Sequence, residues 1–245
     1  MTVVLKLGGS VVTEKERRET VDDERLADLA MEVGAADVSD LVVVHGAGSF
    51  GHPHAAEHGV STSDGTTDPQ AVRDIAGTME RLNTAVVGAL AEAGVPAVPV
   101  HPFSAGHRDA AADLHLPTAH VAAMLDEGFV PVMHGDILAH AGKGATILSG
   151  DELVTHLAAG LDADRLGLCS TVPGVLDQSG EVVPTIESYD DVAAALGGSD
   201  ATDVTGGMAA KVRALLDAES SAFVFGPANL EAFLAGEDAG TRIEG

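Results

Sequence analysis

Several residue types are scarce in this 245-residue chain, and each scarcity argues against a class of protein. A single cysteine, Cys169, rules out a disulfide within the chain, so we expect a protein of the reducing cytoplasm. No apolar run reaches the length of a membrane span, and the first ten residues lack the pattern of a signal peptide. The sequence therefore predicts a protein that does not use a membrane as a partner.

Basic residues are also scarce, since 13 Lys+Arg stand against 38 Asp+Glu and give a formal net charge of −25. A surface of that sign repels nucleic acid, so we expect no nucleic-acid partner. The acidic residues are spread along the chain and do not form a tail. At molar salt the Debye length is only ~3 Å and self-repulsion is screened, so this composition indicates a salt-adapted (halophilic) protein.

The chain has only four lysines, which are Lys6, Lys15, Lys143 and Lys211. Three of them lie in or beside glycine-rich stretches. A lysine supplies a compact positive charge, and glycine lets the backbone N–H groups approach an anion closely. These lysines are therefore candidates for phosphate binding, and Lys143 is predicted to lie on a hairpin turn.

Residues 41–54, LVVVHGAGSFGHPH, form the stretch around which the chain is organised. Four apolar residues predict a buried strand, and a turn with three glycines follows it. A strand that enters such a turn before a helix leaves backbone N–H groups facing a ligand, which favours a phosphate site. A tight turn with surface histidines is the alternative interpretation.

Strands alternate with helices along most of the chain, which predicts a mostly parallel sheet covered on both faces, with sites at the carboxyl ends of its strands. Predicted strands are 2–7, 41–44, 97–100, 129–133, 165–169 and 222–225, with a closing edge strand at 241–243. Predicted helices are 22–33, 71–93, 118–127, 151–161, 189–196 and 228–235, with another around Lys211. Hairpins are predicted at 137–147 and 177–183, and a loop or lid at 58–69.

Four glycine-marked turns precede or open helices, at residues 8–10, 46–51, 149–151 and 205–207. Neither the dinucleotide-binding glycine motif nor the P-loop motif is present in its proper context. A phosphate site assembled from several turns and a few lysines remains. Phosphoryl transfer needs little more than positioning and charge neutralisation, so this reaction is the favoured chemistry.

KLGGS at 6–10, HGAGSFGH at 45–52, SGD at 149–151 and TDVTGGMAAK at 202–211 resemble, in order and spacing, the amino-acid kinase superfamily and, within it, the isopentenyl phosphate kinases. The resemblance covers essentially the whole chain. It implies an α/β fold, an open αβα sandwich with a mostly parallel central sheet, in a single kinase domain over residues 1–245. The acceptor would bind in a lobe of about residues 1–150 and the nucleotide in a lobe of about residues 151–245, and the protein would be a homodimer.

The resemblance also implies the activity, which is ATP- and Mg²⁺-dependent phosphorylation of isopentenyl phosphate to the diphosphate, in isoprenoid biosynthesis by a mevalonate pathway. It implies catalytic roles for Lys6, His52, Asp151 and Lys211. It places ATP against Lys6, Gly8, Gly9, Ser10, Lys15, Gly48, Asp151, Thr171, Gly174, Gly206, Gly207 and Lys211. The acceptor would contact Ala47, Gly48, His52 and Gly150 through its phosphate, and Met79, Leu82 and Val86 through its alkyl chain. The dispersed histidines predict no zinc site, and we predict no metal held by protein ligands alone.

Other functions remain open at this point. A kinase of phosphonate antibiotics (fosfomycin-type) also uses a histidine in this loop, whereas a UMP kinase needs a pocket that reads a base. A non-catalytic nucleotide-binding module would need the glycine turns but has no evident use for Lys6 and Lys211, whose charges suit a transition state. His52 is the residue that separates the favoured acceptor from carboxylates and carbamate.

Overall fold

The computed structural model describes residues 1–196, 207–218 and 220–244. The strands in this part of the chain are β1 (Thr2–Leu7), β2 (Asp40–His45), β3 (Ala97–Pro99), β4 (His107–Arg108), β5 (Leu114–His115), β6 (Val130–His134), β7 (Asp136–His140), β8 (Gly144–Leu148), β9 (Arg165–Cys169), β10 (Thr185–Ile186), β11 (Ser221–Phe225) and β12 (Thr241–Ile243). The α-helices are α1 (Gly9–Val12), α2 (Asp23–Ala35), α3 (Gly48–Glu57), α4 (Pro69–Glu92), α5 (Pro102–Ala105), α6 (Ala119–Asp126), α7 (Gly150–Leu161), α8 (Ala193–Leu196), α9 (Gly207–Leu216) and α10 (Leu230–Leu234). Over these residues, no helix combines the length and the apolar character that crossing a bilayer requires.

The larger sheet has eight strands in the order β10-β12-β11-β9-β1-β2-β6-β3. All neighbouring strands are parallel except β11 and β12, which are antiparallel. The predicted mostly parallel sheet is therefore confirmed. The prediction that 241–243 is the edge strand was wrong, because β10 pairs with the outer side of β12. The short β10 carries no apolar run long enough to have been recognised from sequence.

Two apolar layers cover this sheet, one on each face. Along β1 the odd-numbered apolar residues lie in the first layer and Val4 in the second, as expected for side chains that alternate along a strand. Lys6 has the parity of Val4, so it faces the second layer, to which α7 contributes. His45 has the parity of Val43 and faces the first layer, to which α4 contributes. Strand parity thus sends these two polar side chains to opposite faces.

A smaller sheet, in the order β5-β4-β7-β8, lies beside the larger one. Strands β7 and β8 form the predicted hairpin, and they pair antiparallel from Asp136 opposite Leu148 to His140 opposite Gly144. The loop between α3 and α4 runs along the free edge of β8. It is held there by a bridge between Thr66 and Ala145 and by Ile147 N–H donating to the carbonyl of Ser61. The predicted lid is therefore fastened to a hairpin.

Candidate active site

A cavity of about 300 Å³ lies at the carboxyl ends of β1, β2, β6 and β9. The glycine turns that follow these strands converge there because the strands are parallel and adjacent. The cavity brings together most of the side chains and turns that the sequence predicts for the site. They are Lys6, Gly8, Gly9, Ser10, Lys15, Ala47, His52, Met79, Gly150, Asp151, Thr171 and Lys211.

Asp151 joins two of the lysines. Lys6 Nζ lies 2.6 Å from Asp151 Oδ1, and Lys211 Nζ lies 4.0 Å from Asp151 Oδ2. The side chain of Lys6 is only 9% exposed. A buried ammonium group is costly unless a counter-charge is close, and Asp151 supplies that charge. The carboxylate thereby holds two positive groups at one wall of the cavity.

The start of α7 forms that same wall. Ser149 caps the helix, since its side chain accepts a hydrogen bond from Glu152 N–H at 3.1 Å. A Cβ placed on Gly150 would lie 3.1 Å from Lys6 Cε, so the first turn of the helix rests on the lysine. Arg108 of β4 donates to both Glu152 carboxylate oxygens at 2.6 Å and fixes this turn to the smaller sheet. The N–H groups of a first turn lack helical acceptors and attract anions.

The two glycine turns after β1 and β2 pack against each other. A Cβ on Gly9 would overlap the backbone of Gly48, and a Cβ on Gly48 would overlap Thr13 and the backbone of Gly9. Gly48 also has a φ of +49°, which disfavours any other residue. Gly48 does not line the cavity, contrary to the expected phosphate contact. Its absent side chain instead lets Gly9 and Ala47, which do line it, lie close together.

The loop that carries Lys15 is fastened to two helices. Glu19 accepts hydrogen bonds from His54 Nε2 on α3 and from Arg81 on α4, both at 2.6 Å. These bonds, that from His54 first, lower the pKa of Glu19 below its usual value. Arg18 adds an ion pair to Glu57 at 2.8 Å. The exposed Lys15 is thereby held at the mouth of the cavity.

The other end of the cavity is apolar. Ala55 of α3, Ile75 and Met79 of α4, and Ile147 of β8 line it, together with the polar residues Ser61 and Thr62 of the fastened loop. Of the three residues expected at the alkyl chain, Met79 lines this end. Leu82 and Val86, expected there, are fully buried in the first apolar layer instead. They lie further along the helix, where the sheet covers the same stripe.

Two further glycines expected at the nucleotide are not among the cavity residues. Gly174 is buried where a Cβ would press on Thr241 and Val182, so it permits close packing under β12. Gly207 opens α9 with a φ of +65°, and it does not line the cavity. Gly206 lies outside the described residues.

A carboxylate of the cavity wall was also missed from the sequence. Asp136, the first residue of β7, is 3% exposed and accepts hydrogen bonds from the N–H groups of Phe103 and Ile137. Burial raises the pKa of its carboxyl to about 7. Asp136 follows the strand 129–133 by three residues, and that strand's place beside β2 would have pointed to it.

Comparison with known proteins agrees with this geometry. The family model described as the amino acid kinase family matches residues 1–222. The chain belongs to the amino acid kinase family. The match includes Lys6 of β1, the glycine turns after β1 and β2, the start of α7 and Lys211 of α9, all of which contribute to the cavity.

Within the amino acid kinase family, the chain is similar to proteins named isopentenyl phosphate kinase. That of Haloferax volcanii is 63% identical over 244 residues, which cover 99% of this chain and 98% of the relative. That of Methanothermobacter thermautotrophicus is 35% identical and covers 99% of both chains. A solved isopentenyl phosphate kinase structure superposes with a TM-score of 0.85 at 30% identity, covering 99% of this chain and all of the other. The predicted fold, that of the amino acid kinases, is thereby confirmed.

Proposed function

We propose that this chain is a phosphotransferase that transfers the γ-phosphoryl group of ATP to isopentenyl phosphate, giving ADP and isopentenyl diphosphate. The observation that carries the proposal is a single cavity with a cationic wall, Lys6 and Lys211 around Asp151, and an apolar end at Ile75 and Met79. An alkyl monophosphate needs the cationic wall for its phosphate and the apolar end for its alkyl chain. Relatives named for this activity across the full length of the chain support the same conclusion.

The chemistry requires positioning more than activation. An oxygen of the acceptor phosphate forms a bond to the γ-phosphorus, and the bond from that phosphorus to the β–γ bridging oxygen breaks, leaving its electron pair on ADP. The attacking oxygen is already anionic near neutral pH, so no general base is needed. The obstacle is repulsion between two anionic phosphates, which nearby cations and N–H donors reduce.

We assign roles on that basis. Lys6 and Lys211 would neutralise the transferred group, and Asp151 would hold them. The turn of Gly8, Gly9 and Ser10, with Lys15 and Thr171, would contact the ATP phosphates. His52, with the backbone N–H groups of Ala47 and Gly150, would bind the acceptor phosphate, and Met79 would contact the alkyl chain.

Magnesium would accompany ATP, and the donor set fits that role. Among the described residues no group of three or more His, Cys, Asp or Glu could hold a metal by itself. Mg²⁺ keeps several waters and takes most of its other ligands from phosphates, so one protein carboxylate is enough. Asp151 is suitably placed among the cavity's lysines to be that carboxylate. When bound, the ion would supply further charge neutralisation.

The proposal also includes a division into two lobes, a homodimer and a requirement for salt. Residues of about 1–150 would bind the acceptor and those of about 151–245 the nucleotide, and the protein would work as a homodimer. The net charge of −25 would require roughly molar KCl or NaCl for full stability, because unscreened charges repel each other. Thermal melts across a salt series check this requirement, and full stability at low salt would contradict it.

A coupled assay of ADP release tests the activity, with isopentenyl phosphate, dimethylallyl phosphate, fosfomycin and UMP as acceptors. We expect the kcat/KM for isopentenyl phosphate to exceed those for fosfomycin and UMP by at least ~100-fold, because neither fills a small apolar pocket. A higher kcat/KM for fosfomycin or UMP would reject the proposal. Nucleotide binding without turnover of any acceptor would indicate a binding module.

A further inference from the structure

Two strands that lie side by side each end at a histidine that is followed by a glycine. β2 ends at His45 and β6 ends at His134, each is followed directly by a glycine, and the two histidines are paired in register. Both side chains are fully buried, and their rings stack with centroids 5.4 Å apart. Neither ring lines the cavity. The reaction as proposed gives no role to either ring.

Each ring folds back onto the peptide that follows it. His45 Nδ1 lies 3.1 Å from the carbonyl oxygen of Gly46, and His134 Nδ1 lies 2.9 Å from that of Gly135. Burial lowers the pKa of His45 to about 4, so the imidazole is neutral near pH 7 and carries one N–H. Since a carbonyl only accepts, the bond to Gly46 requires that proton to be on Nδ1.

The other nitrogen of His45 supports the same tautomer. Nε2 lies 3.1 Å from the side-chain amide of Asn83 on α4, with the oxygen Oδ1 towards the ring. The amide nitrogen, Nδ2, is buried and has no hydrogen-bond partner within the described part of the chain. Turning this amide by 180° gives Nδ2 an acceptor in the bare Nε2, which it lacks in the opposite orientation. The hydrogen-bond partners therefore favour a neutral His45 with its proton on Nδ1 and an Asn83 amide that donates to Nε2.

The bond to Gly46 fixes the direction of a different group. In a planar trans peptide the carbonyl and the next N–H point opposite ways, and the described peptides are all trans. Because the Gly46 carbonyl faces the buried ring, the N–H of Ala47 faces away from it. Ala47 occupies the N-cap position of α3 and lines the cavity, and no described residue accepts a hydrogen bond from its N–H.

We propose that His45, held in one tautomer by Asn83, is a positioning residue that aims the Ala47 N–H at the acceptor phosphate. This inference rests on the proposed function, which makes that N–H part of the acceptor site. His45 touches neither substrate and acts only through the peptide of Gly46 and Ala47. Its loss should weaken acceptor binding far more than ATP binding.

His134 provides a matched control. It has the same burial, the same strand position and the same bond to the following glycine, and its Nε2 lies 2.9 Å from His101 Nδ1. The peptide that it fixes leads to Asp136, which pairs with Leu148 in the β7–β8 ladder. Changing His134 therefore disturbs the same buried pair of rings while leaving in place the His45 bond to Gly46 that directs the Ala47 N–H.

The test uses the two amides that imitate one imidazole nitrogen each. His45→Asn keeps a donor near the Nδ1 position, whereas His45→Gln places its amide near the Nε2 position and loses the bond to Gly46. We expect His45→Gln to raise the KM for isopentenyl phosphate about 10-fold, or about 1.4 kcal/mol, and His45→Asn to raise it no more than about 3-fold. The KM for ATP should change less than about 2-fold in both His45 variants. The KM for isopentenyl phosphate should be the same in His134→Asn and His134→Gln.

A second measurement needs neither a variant nor a substrate. The ¹⁵N NMR spectrum of the wild-type protein distinguishes protonated from bare imidazole nitrogens, and we expect a protonated Nδ1 and a bare Nε2 at His45. A proton on Nε2 overturns the proposal, and so does an equal rise in acceptor KM for the two His45 variants. If the wild type fails to phosphorylate isopentenyl phosphate, the proposed function fails while the NMR result still decides the tautomer.

Discussion

The phosphate end and the alkyl end of the cavity are built in different ways. The phosphate end consists of turns that directly follow the central strands β1, β2 and β9, together with the start of α7. The alkyl end is assembled from the side of α4, one hairpin strand and a loop fastened to that strand. The first depends on local sequence and strand order, and the second depends on how distant segments pack.

The difference also appears in the interactions that hold each end. At the phosphate end a buried ion pair joins Lys6 to Asp151, and the close contact of Gly9 with Gly48 leaves no room for adjustment. At the alkyl end the loop is held by a few backbone hydrogen bonds and by Lys143 Nζ, which donates to the carbonyl of Ser63 at 2.9 Å. We therefore expect changes at the phosphate end to affect the chemical step and changes at the alkyl end to affect acceptor affinity.

The largest effect is expected at the two lysines that share Asp151. Lys6→Ala and Lys211→Ala should each lower kcat by two or more orders of magnitude, on the order of 3 kcal/mol in the barrier, because each removes a charge that stabilises the transferred group. Steady-state kinetics with isopentenyl phosphate and ATP measure this effect. Lys143→Ala, which removes a lysine outside the cavity lining, is the control. Equal losses at Lys6 and Lys143 would show that the site is misplaced.

His52 is expected to have the next largest effect. As a donor to the acceptor phosphate, it can be replaced in part by another donor, whereas a general base cannot. His52→Ala should nearly abolish transfer and weaken acceptor binding while ATP binding stays close to that of the wild type. His52→Gln or His52→Asn should recover part of the rate.

Two further results bear on that prediction. His54→Gln, on the same helix but outside the cavity lining, keeps an N–H donor for Glu19 and the Lys15 loop, so it should leave the rate within about 3-fold and controls for damage to α3. Amide variants of His52 that fold, bind ATP and are as inactive as alanine would reject the donor role. Full activity in all three His52 variants would remove the most specific support for the acceptor assignment.

The contrast between the two ends explains what the sequence could predict. Lys6, His52 and Asp151 were predicted from the glycine turns and from the resemblance that those turns carry, and the structure brings all three to one cavity. Leu82 and Val86 were misplaced because a helical stripe does not say where the sheet replaces the pocket as its neighbour. Which part of a stripe faces a cavity is decided by tertiary packing, and periodicity carries no signal for it.

Asp136, which was missed, and Gly174, which was predicted but packs elsewhere, also show that tertiary packing limits prediction from sequence. Asp136 was not recognised because the sequence places it after a strand but does not say that this strand lies beside β2. Gly174 was expected at the nucleotide from the family resemblance, yet here the glycine makes room for Thr241. Strand order is the missing information in the first case, and the identity of the packed neighbour in the second.

Asp136 offers a smaller, pH-dependent test on the wall of the cavity. Its carboxyl has a pKa of about 7 when folded, against 3.8 ordinarily, because burial outweighs the two N–H bonds that favour the anion. His134 Nδ1 lies 3.8 Å away but is neutral, since burial lowers the pKa of His134 to about 3. Between pH 3.8 and about pH 7, the ordinary and folded pKa values of Asp136, the folded protein holds a proton that the unfolded chain has lost. The free energy of unfolding therefore falls as the pH rises through this range.

The neutral variant Asp136→Asn should lack this dependence. Relative to the variant, the wild type should lose stability from about pH 4 to about pH 7 and should change no further above that range, where the carboxyl is ionised in both states. Urea unfolding of both proteins at pH 5, 6, 7 and 8 in constant KCl measures the difference. A wild type that gains stability relative to the variant over this range would contradict the raised pKa.

The smallest effect is expected at Lys143, and it tests the alkyl end directly. Lys143→Ala removes the bond to the Ser63 carbonyl, but the bridge between Thr66 and Ala145 and the bond from Ile147 to Ser61 remain. An exposed hydrogen bond of this kind contributes on the order of 1 kcal/mol or less, so we expect the KM for isopentenyl phosphate to rise about 2- to 5-fold. The kcat and the KM for ATP should not change, because the phosphate end is built without this loop. Lys143→Arg, which keeps a donor, should restore part of the acceptor affinity. A fall in kcat with an unchanged acceptor KM would show that the two ends of the cavity are not independent.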